Sequence, residues 1–227
     1  MTPSKLGARM DVSAGTIEFA AADGRDAVFL PVRLPRPGAQ GRLERIDAHH
    51  WARGEVERFI CQRFRREYGA RVTHFMPHLM AERDDRLQWK AAVGYTPADT
   101  HELFLEHYLD EPVESALSRA FEADVTRDEV VEVGNLAADT PGAARRVIHQ
   151  VTRYLHHAGF RWVVFTATRE LANSFRRLHL IPTELAVADP ARLPDRGSRW
   201  GSYYSHDPRV MGGNIAWGYE RLPGVAG

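Results

Sequence analysis

Cysteine, lysine and net charge are nearly missing from this 227-residue chain, and each shortage removes a class of function. Cys61 is the single cysteine, so no intrachain disulfide can form. It lies beside Phe59, Ile60 and Phe64 in a stretch with helical spacing, the setting of a small packed side chain rather than a nucleophile. Lysine occurs only at Lys5 and Lys90, and 30 basic residues balance 30 acidic ones. A formal net charge of zero gives no overall field for nucleic acid, so no nucleic-acid partner is expected. No apolar run nears the roughly 18 residues that cross a bilayer, so no integral membrane association is expected. No basic head followed by an apolar run opens the chain, so no secretory signal is read and the expected location is cytoplasmic. The histidines lack a His-Glu-x-x-His or Cys/His spacing, so no metal site is expected. Neither a Gly-x-Ser-x-Gly elbow nor a P-loop is present.

What remains is an ordinary globular composition, 44% hydrophobic and 26% charged. The length suits one large domain, or a domain with an extension. Residues 1–40 read as an N-terminal extension, with short strands at Thr16 to Phe19 and Ala27 to Val32 and a Pro/Gly linker at Pro35 to Gly41. Residues 41–227 read as the main domain. A helix is expected from about His50 to Tyr68, stopped by Gly69. Arg71 to Met80 and Gln88 to Tyr95 read as a hairpin around Asp84-Asp85. Glu102 to Leu109 is expected to be a strand, and Pro112 opens a helix to about Phe121. Then come a strand from Glu129 to Leu136, a helix from Ala143 to His157, a strand from Arg161 to Thr168, and a helix from Leu171 to Leu178. Thr183 to Val187 and Asn214 to Tyr219 are further strand candidates, joined by a long loop from Pro190 to Arg209. Hairpin strands followed by a right-handed βαβ unit predict a mixed sheet flanked by helices, an α/β fold.

Four segments carry possible chemistry. Alternation along Val131-Glu132-Val133 sets the valines on one face and Glu132 on the other. A carboxylate inside an apolar strand must be paired, wet or functional, because burying it alone is costly. A salt-bridged structural glutamate and a base for an amine are both open readings. Next, Pro141-Gly142 opens a helix whose first N–H groups and dipole suit an anion, with Asp139 or Thr140 as an N-cap and Arg145 and Arg146 just inside. Third, the strand ending near Thr168 feeds a helix bearing Asn173, Phe175 and the pair Arg176-Arg177, which a solvated helix face also explains. Fourth, the loop from Gly197 to Pro208 carries Tyr203, Tyr204 and His206. Long loops of this kind are often functional, though a packed surface loop is the plainer account.

The strand-loop-helix-strand-helix run from Glu129 to Leu180 resembles the acyl-donor half of the GCN5-related N-acetyltransferase (GNAT) fold. The usual GNAT loop is Arg or Gln, two residues, Gly, one residue, then Gly or Ala. Gly142 and Ala144 match its second half, while Asp139 stands where Arg or Gln is usual. The resemblance implies that the strand through Glu132, Asn135 and Leu136 parts from its neighbour and offers its backbone to the amide arm of an acyl carrier. It also implies that backbone N–H groups at Gly142, Ala143, Ala144 and Arg145 hold phosphate, and that Asn173 touches the pantetheine arm or the leaving thiol. Glu132 and Asn135 become candidate catalytic residues toward an amine, and Tyr203 or Tyr204 a proton source for the thiolate.

More specifically, the chain resembles the thermostable hemolysin family. The residues that carry this are Tyr68 to Met80, Ala92-Val93-Gly94-Tyr95, Leu103 to Leu109 with Pro112-Val113-Glu114, Val131 to Ala137, and Phe165 to Leu178. They cover most of residues 50–220 in the family's order. Acyl-homoserine-lactone synthases, which share such sheets, carry Glu-x-x-Arg on the matching strand. Here Glu132 matches and Asn135 replaces the arginine. The resemblance implies a GNAT-like mixed central sheet flanked by helices, with an N-terminal β extension. It implies acyl-CoA or the acyl-phosphopantetheine of a carrier protein as co-substrate, a small-molecule amine as acceptor, and no metal. Two other readings stay open: a hemolysin acting on membranes directly, and a non-catalytic binding protein with a decayed acyl-donor cleft.

Overall fold

A computed structural model of the protein describes residues 43–222. The strands expected at Thr16 to Phe19 and Ala27 to Val32, and the linker after them, lie outside the described residues. Among the described residues the chain forms a seven-stranded mixed sheet in the order β1-β2-β3-β4-β5-β7-β6. The strands are β1 (Glu44–Ile46), β2 (His78–Arg83), β3 (Trp89–Pro97), β4 (Val130–Ala138), β5 (Trp162–Ala167), β6 (Thr183–Val187) and β7 (Arg209–Asn214). The helices are α1 (Arg53–Tyr68), α2 (Val113–Phe121), α3 (Pro141–His157), α4 (Arg169–Arg177) and α5 (Ile215–Glu220). β4 and β5 are parallel, as a βαβ crossover through α3 requires, and the other pairings are antiparallel.

Local chemistry explains the element ends. Gly69 closes α1 at φ 67°, donating its N–H to the Arg65 carbonyl. Thr140 caps α3 by accepting from the Ala143 N–H at 3.2 Å, and Pro141 takes the first helical position. Val147, Val151 and Leu155 then recur at i, i+4 and i+8 and are buried against the sheet. Each such side chain contributes about 1.5–3 kcal/mol by leaving water. They pack with Val93, Val131 and Ile215 to form the α3–α5 face. On the opposite face α2 buries Val113 and Leu117 against Val130, Val164 and Val210. Beside it, α1 buries Val56 and Ile60 against Ala92 and Ala137.

Three expectations need correction. Glu102 to Leu109 is not a strand; Phe104–Tyr108 forms a 3-10 turn. Carboxylates draw its backbone in: Glu106 accepts from the N–H groups of Leu103 and Val113, and Glu132 from those of Phe104 and Leu105. The last strand is Arg209–Asn214 rather than Asn214 to Tyr219, because the Asn214 side chain accepts from the Trp217 N–H and starts α5. Residues 71–77 precede β2 instead of belonging to it; the Met76 N–H is bound by the Asn135 side chain at 2.8 Å.

Two irregularities in β4 open the middle of the sheet. β4 pairs with β5 only from Val130↔Trp162 to Val133↔Phe165, although β4 runs on to Ala138 and β5 to Ala167. The strands therefore part beyond Val133. On its other edge β4 carries a bulge: pairing passes from Gly94↔Gly134 to Ala92↔Ala137, so Asn135 and Leu136 together oppose Val93. Asn135 takes the left-handed conformation, φ 51°, that a bulge uses.

Candidate active site

A cavity of about 850 Å³ opens where β4 and β5 part. Its wall includes Val151, Leu155 and Phe165 on the α3–α5 face, and Phe64, Tyr68 and Phe104 on the α1–α2 face. Glu132 lines it too. Alternation sends Glu132 to the α1–α2 face, and it is only 4% exposed. Its two oxygens accept from the Phe104 N–H at 2.8 Å and the Leu105 N–H at 3.2 Å. Burial pushes its carboxyl up to about 8; the two amides pull the other way but do not offset the lost hydration, and Glu106 nearby adds to the rise. This is neither the salt-bridged glutamate nor a bare charge. It is a carboxyl poised to change ionisation near neutral pH on the wall of a cavity, which suits proton exchange with a bound group.

Aromatic rings surround this end of the cavity. Trp200 lies 6.0 Å from Phe104, 6.2 Å from Phe64 and 5.3 Å from Tyr203, centroid to centroid. Tyr203 stands edge-on to Tyr68 at 5.2 Å. The loop that carries these rings is fastened to the end of α1: the Ser202 N–H donates to the Tyr68 carbonyl at 2.8 Å, and the Arg71 N–H to the Arg199 carbonyl at 2.7 Å. Gly201 makes that approach possible. Its φ is 54°, and a Cβ there would sit 2.0 Å from the Tyr68 oxygen. Burial holds the Tyr203 and Tyr108 phenols well above their usual range, so both stay protonated and able to donate. The Tyr108 and Tyr204 hydroxyls share a 2.7 Å hydrogen bond.

The sequence-predicted residues fall into two groups. Glu132, Asn135, Leu136, Ala144 and Tyr203 line the cavity. Gly142 lies in the first turn of α3, next to the lining residues Pro141 and Ala144. Tyr204 does not line the cavity but sits behind its wall, bonded to Tyr108 and packed edge-on to Trp200 and Tyr203. The Asn135 side chain is committed to main chain, accepting from Met76 and donating to the His74 carbonyl. Ala143 is buried in the α3 core, Arg145 is exposed, and Asn173 is exposed and bonded to Arg176; none of the three lines the cavity, whereas Ser174 does. Tyr108, Phe64, Tyr68 and Trp200 line the cavity too but were not among the expected site residues, although Phe64 and Tyr68 at i, i+4 share a helix side.

The start of α3 offers less than its sequence suggests. Thr140 takes the Ala143 N–H through its hydroxyl and the Ala144 N–H through its carbonyl, and Pro141 has none to give. Gly142 keeps the open amide of that turn. Asp139 is held by Arg63 at 3.2 Å and Lys90 at 3.3 Å, so its charge is countered before any anion arrives. Arg146 donates twice to the buried Glu82. Among the described residues no group of His, Cys, Asp and Glu is arranged to hold a metal ion. Nor is any of their helices long and apolar enough to cross a membrane.

A family model described as thermostable hemolysin matches residues 46–219. None of the curated proteins matches the chain in sequence. Among solved structures, TofI in its apo form is similar over 81% of this chain and 99% of its own, with 14% identity and a TM-score of 0.52. FeeM, an N-acyl amino acid synthase from uncultured soil microbes, is similar over 82% and 99%, with 11% identity and a TM-score of 0.54. BjaI, a CoA-dependent acyl-homoserine lactone synthase solved with SAM and isopentyl-CoA, is similar over 78% and 85%, with 12% identity and a TM-score of 0.50. At such identities the likeness is one of fold, and that fold is the GNAT-like mixed sheet expected from the sequence.

Proposed function

The chain belongs to the thermostable hemolysin family, and on that premise we propose that it is an acyltransferase acting on a small-molecule amine. The donor is an acyl thioester of CoA or of a carrier protein. One observation carries the reading: the strands part beyond Val133↔Phe165, and the cavity there holds the buried, raised-pKa carboxyl of Glu132. The unpaired edge of β4 after Val133 leaves backbone groups for the amide arm of pantetheine.

In this reading the amine nitrogen attacks the thioester carbonyl. Glu132 takes the proton that the nitrogen sheds, the carbon–sulfur bond breaks, and the departing thiolate accepts a hydrogen bond from the Tyr203 phenol and takes its proton from solvent. A base with a pKa near the working pH serves both uptake and release. The capped start of α3, with Gly142 as its open amide, favours the single phosphate of a carrier protein's phosphopantetheine over the pyrophosphate of CoA. Hemolysis then arises indirectly, from an amphiphilic N-acyl product.

Ligand-induced thermal shift tests the donor. A ligand at ~100 times its Kd stabilises by roughly 2.7 kcal/mol. Acylated carrier protein or acyl-CoA is expected to raise Tm, and Gly142→Glu to abolish the rise. A Tm unmoved by every donor overturns the proposal and favours a decayed cleft.

A further inference from the structure

The acyl-transfer reading leaves the acceptor unnamed, and the aromatic end of the cavity bears on it. Phe64, Tyr68, Phe104, Trp200 and Tyr203 wall this end and pack against one another. The faces of such rings attract cations. Four acidic side chains line the cavity: Glu67, one residue before Tyr68 on α1, Glu170 at the start of α4, the raised-pKa Glu132, and Asp139, which Arg63 and Lys90 already hold. Glu67 has no hydrogen-bond or ion-pair partner among the described residues, and the Glu170 carboxylate meets the His206 ring at 3.3 Å.

Positive charge on the wall is placed elsewhere. Of its two arginines, Arg63 is bound to Asp139, and Arg221 lies over Trp217 and donates to the Trp217 carbonyl. The histidine at the aromatic end, His74, is stacked on Phe104. A carboxylate-bearing acceptor at the aromatic end would therefore meet the Glu67 and Glu170 carboxylates, with Arg63 already bound to Asp139 and Arg221 held at Trp217 on α5. A second positive charge on the acceptor would meet aromatic rings and an unpaired Glu67. Resting on the acyl-transfer reading, we propose that the acceptor is a small diamine or polyamine: one nitrogen faces Glu132 and is acylated, and the other lies among the rings toward Glu67 and Glu170.

The test separates this proposal from the reading beneath it. Calorimetric titration of the full chain with putrescine, butylamine and gamma-aminobutyrate compares one chain length bearing a second cation, no second charge and an anion. Putrescine is expected to bind at least about fivefold tighter than butylamine, with gamma-aminobutyrate weakest. In Glu67→Gln, an exposed position whose change does not threaten the fold, most of that preference is expected to vanish. Equal or tighter binding of gamma-aminobutyrate overturns the proposal, as does a preference untouched in Glu67→Gln, or no binding by any of the three. Thiol release with acyl donor is followed in parallel. Release at equal rates with all three amines sinks the diamine assignment and leaves the transferase standing. Putrescine binding without release in any mixture sinks the transferase and leaves the cation box.

Discussion

Replacing Glu132 by glutamine is expected to reverse the order of stability of the two proteins as pH rises. The Glu132 carboxyl titrates at about 8 in the folded protein against an ordinary value of 4.5. The folded state thus keeps a proton that the unfolded chain gives up. Its contribution to stability is fully present below pH 4.5 and is lost as pH rises through about 8. Over that window the loss amounts to about 5 kcal/mol. Glutamine does not titrate, but it offers one acceptor to the two amides of Phe104 and Leu105, a constant penalty of about 1–3 kcal/mol. Wild type should therefore be the more stable protein near pH 5 and the less stable one near pH 9. Urea unfolding of both proteins at unit steps of pH measures the difference directly, with equal slopes confirming comparable exposure on unfolding. A difference that stays constant with pH would refute the raised pKa. A difference that grows in favour of wild type would mean that Glu132 is a paired carboxylate, the ordinary structural case.

The same packing sets other expected outcomes. Gly201→Ala forces a Cβ against the Tyr68 carbonyl at positive φ, so it should cost about 1–3 kcal/mol and loosen the Trp200 loop, read as lower Tm and a red-shifted tryptophan emission. Gly94→Ala should destabilise more than Gly134→Ala, because the first meets the fixed Met76 Cβ at 2.7 Å and the second the movable Met76 Cε at 2.6 Å; chemical denaturation ranks them. Arg127→Met removes the guanidinium that binds Glu106 at 2.7 and 2.8 Å and strands a half-buried carboxylate, with an expected loss of about 2–4 kcal/mol at neutral pH. Burial raises the Glu106 carboxyl, but Arg127 and the N–H groups of Val113 and Leu103 outweigh it and hold the group below its usual range. That stability is present above the ordinary carboxylate pKa and is lost as pH falls through the lowered one, so the Arg127→Met gap should narrow in acid.

The sequence showed the β4–α3–β5 unit clearly because period-2 and period-3.6 patterns and the Thr140-Pro141-Gly142 start all agree there. It misread Phe104–Tyr108, where Leu103, Leu105 and their aromatic neighbours look like a strand but long-range carboxylates bind the amides. It also misplaced the last strand, since Gly212 and Gly213 weaken the signal in Arg209–Asn214. Glu132 stood out as a charge in an apolar strand. What it touches was not legible, because Phe104 lies 28 residues away in sequence and presents only a backbone amide. The loop that carries Trp200 docks on α1 through Ser202 and Tyr68, 134 residues apart, at one close-packed glycine that no local pattern marks.

The proposed reaction moves an acyl group to an amine in the cleft between β4 and β5, with Glu132 as base. Single-turnover release of free thiol from acylated carrier protein or acyl-CoA, with and without amine, tests it most directly in wild type and Glu132→Gln. Amine-dependent release is expected to climb with pH toward 8 and to fall by roughly 10²–10⁴ in the variant. Release that ignores the amine, or a glutamine variant as fast as wild type across that range, would contradict it.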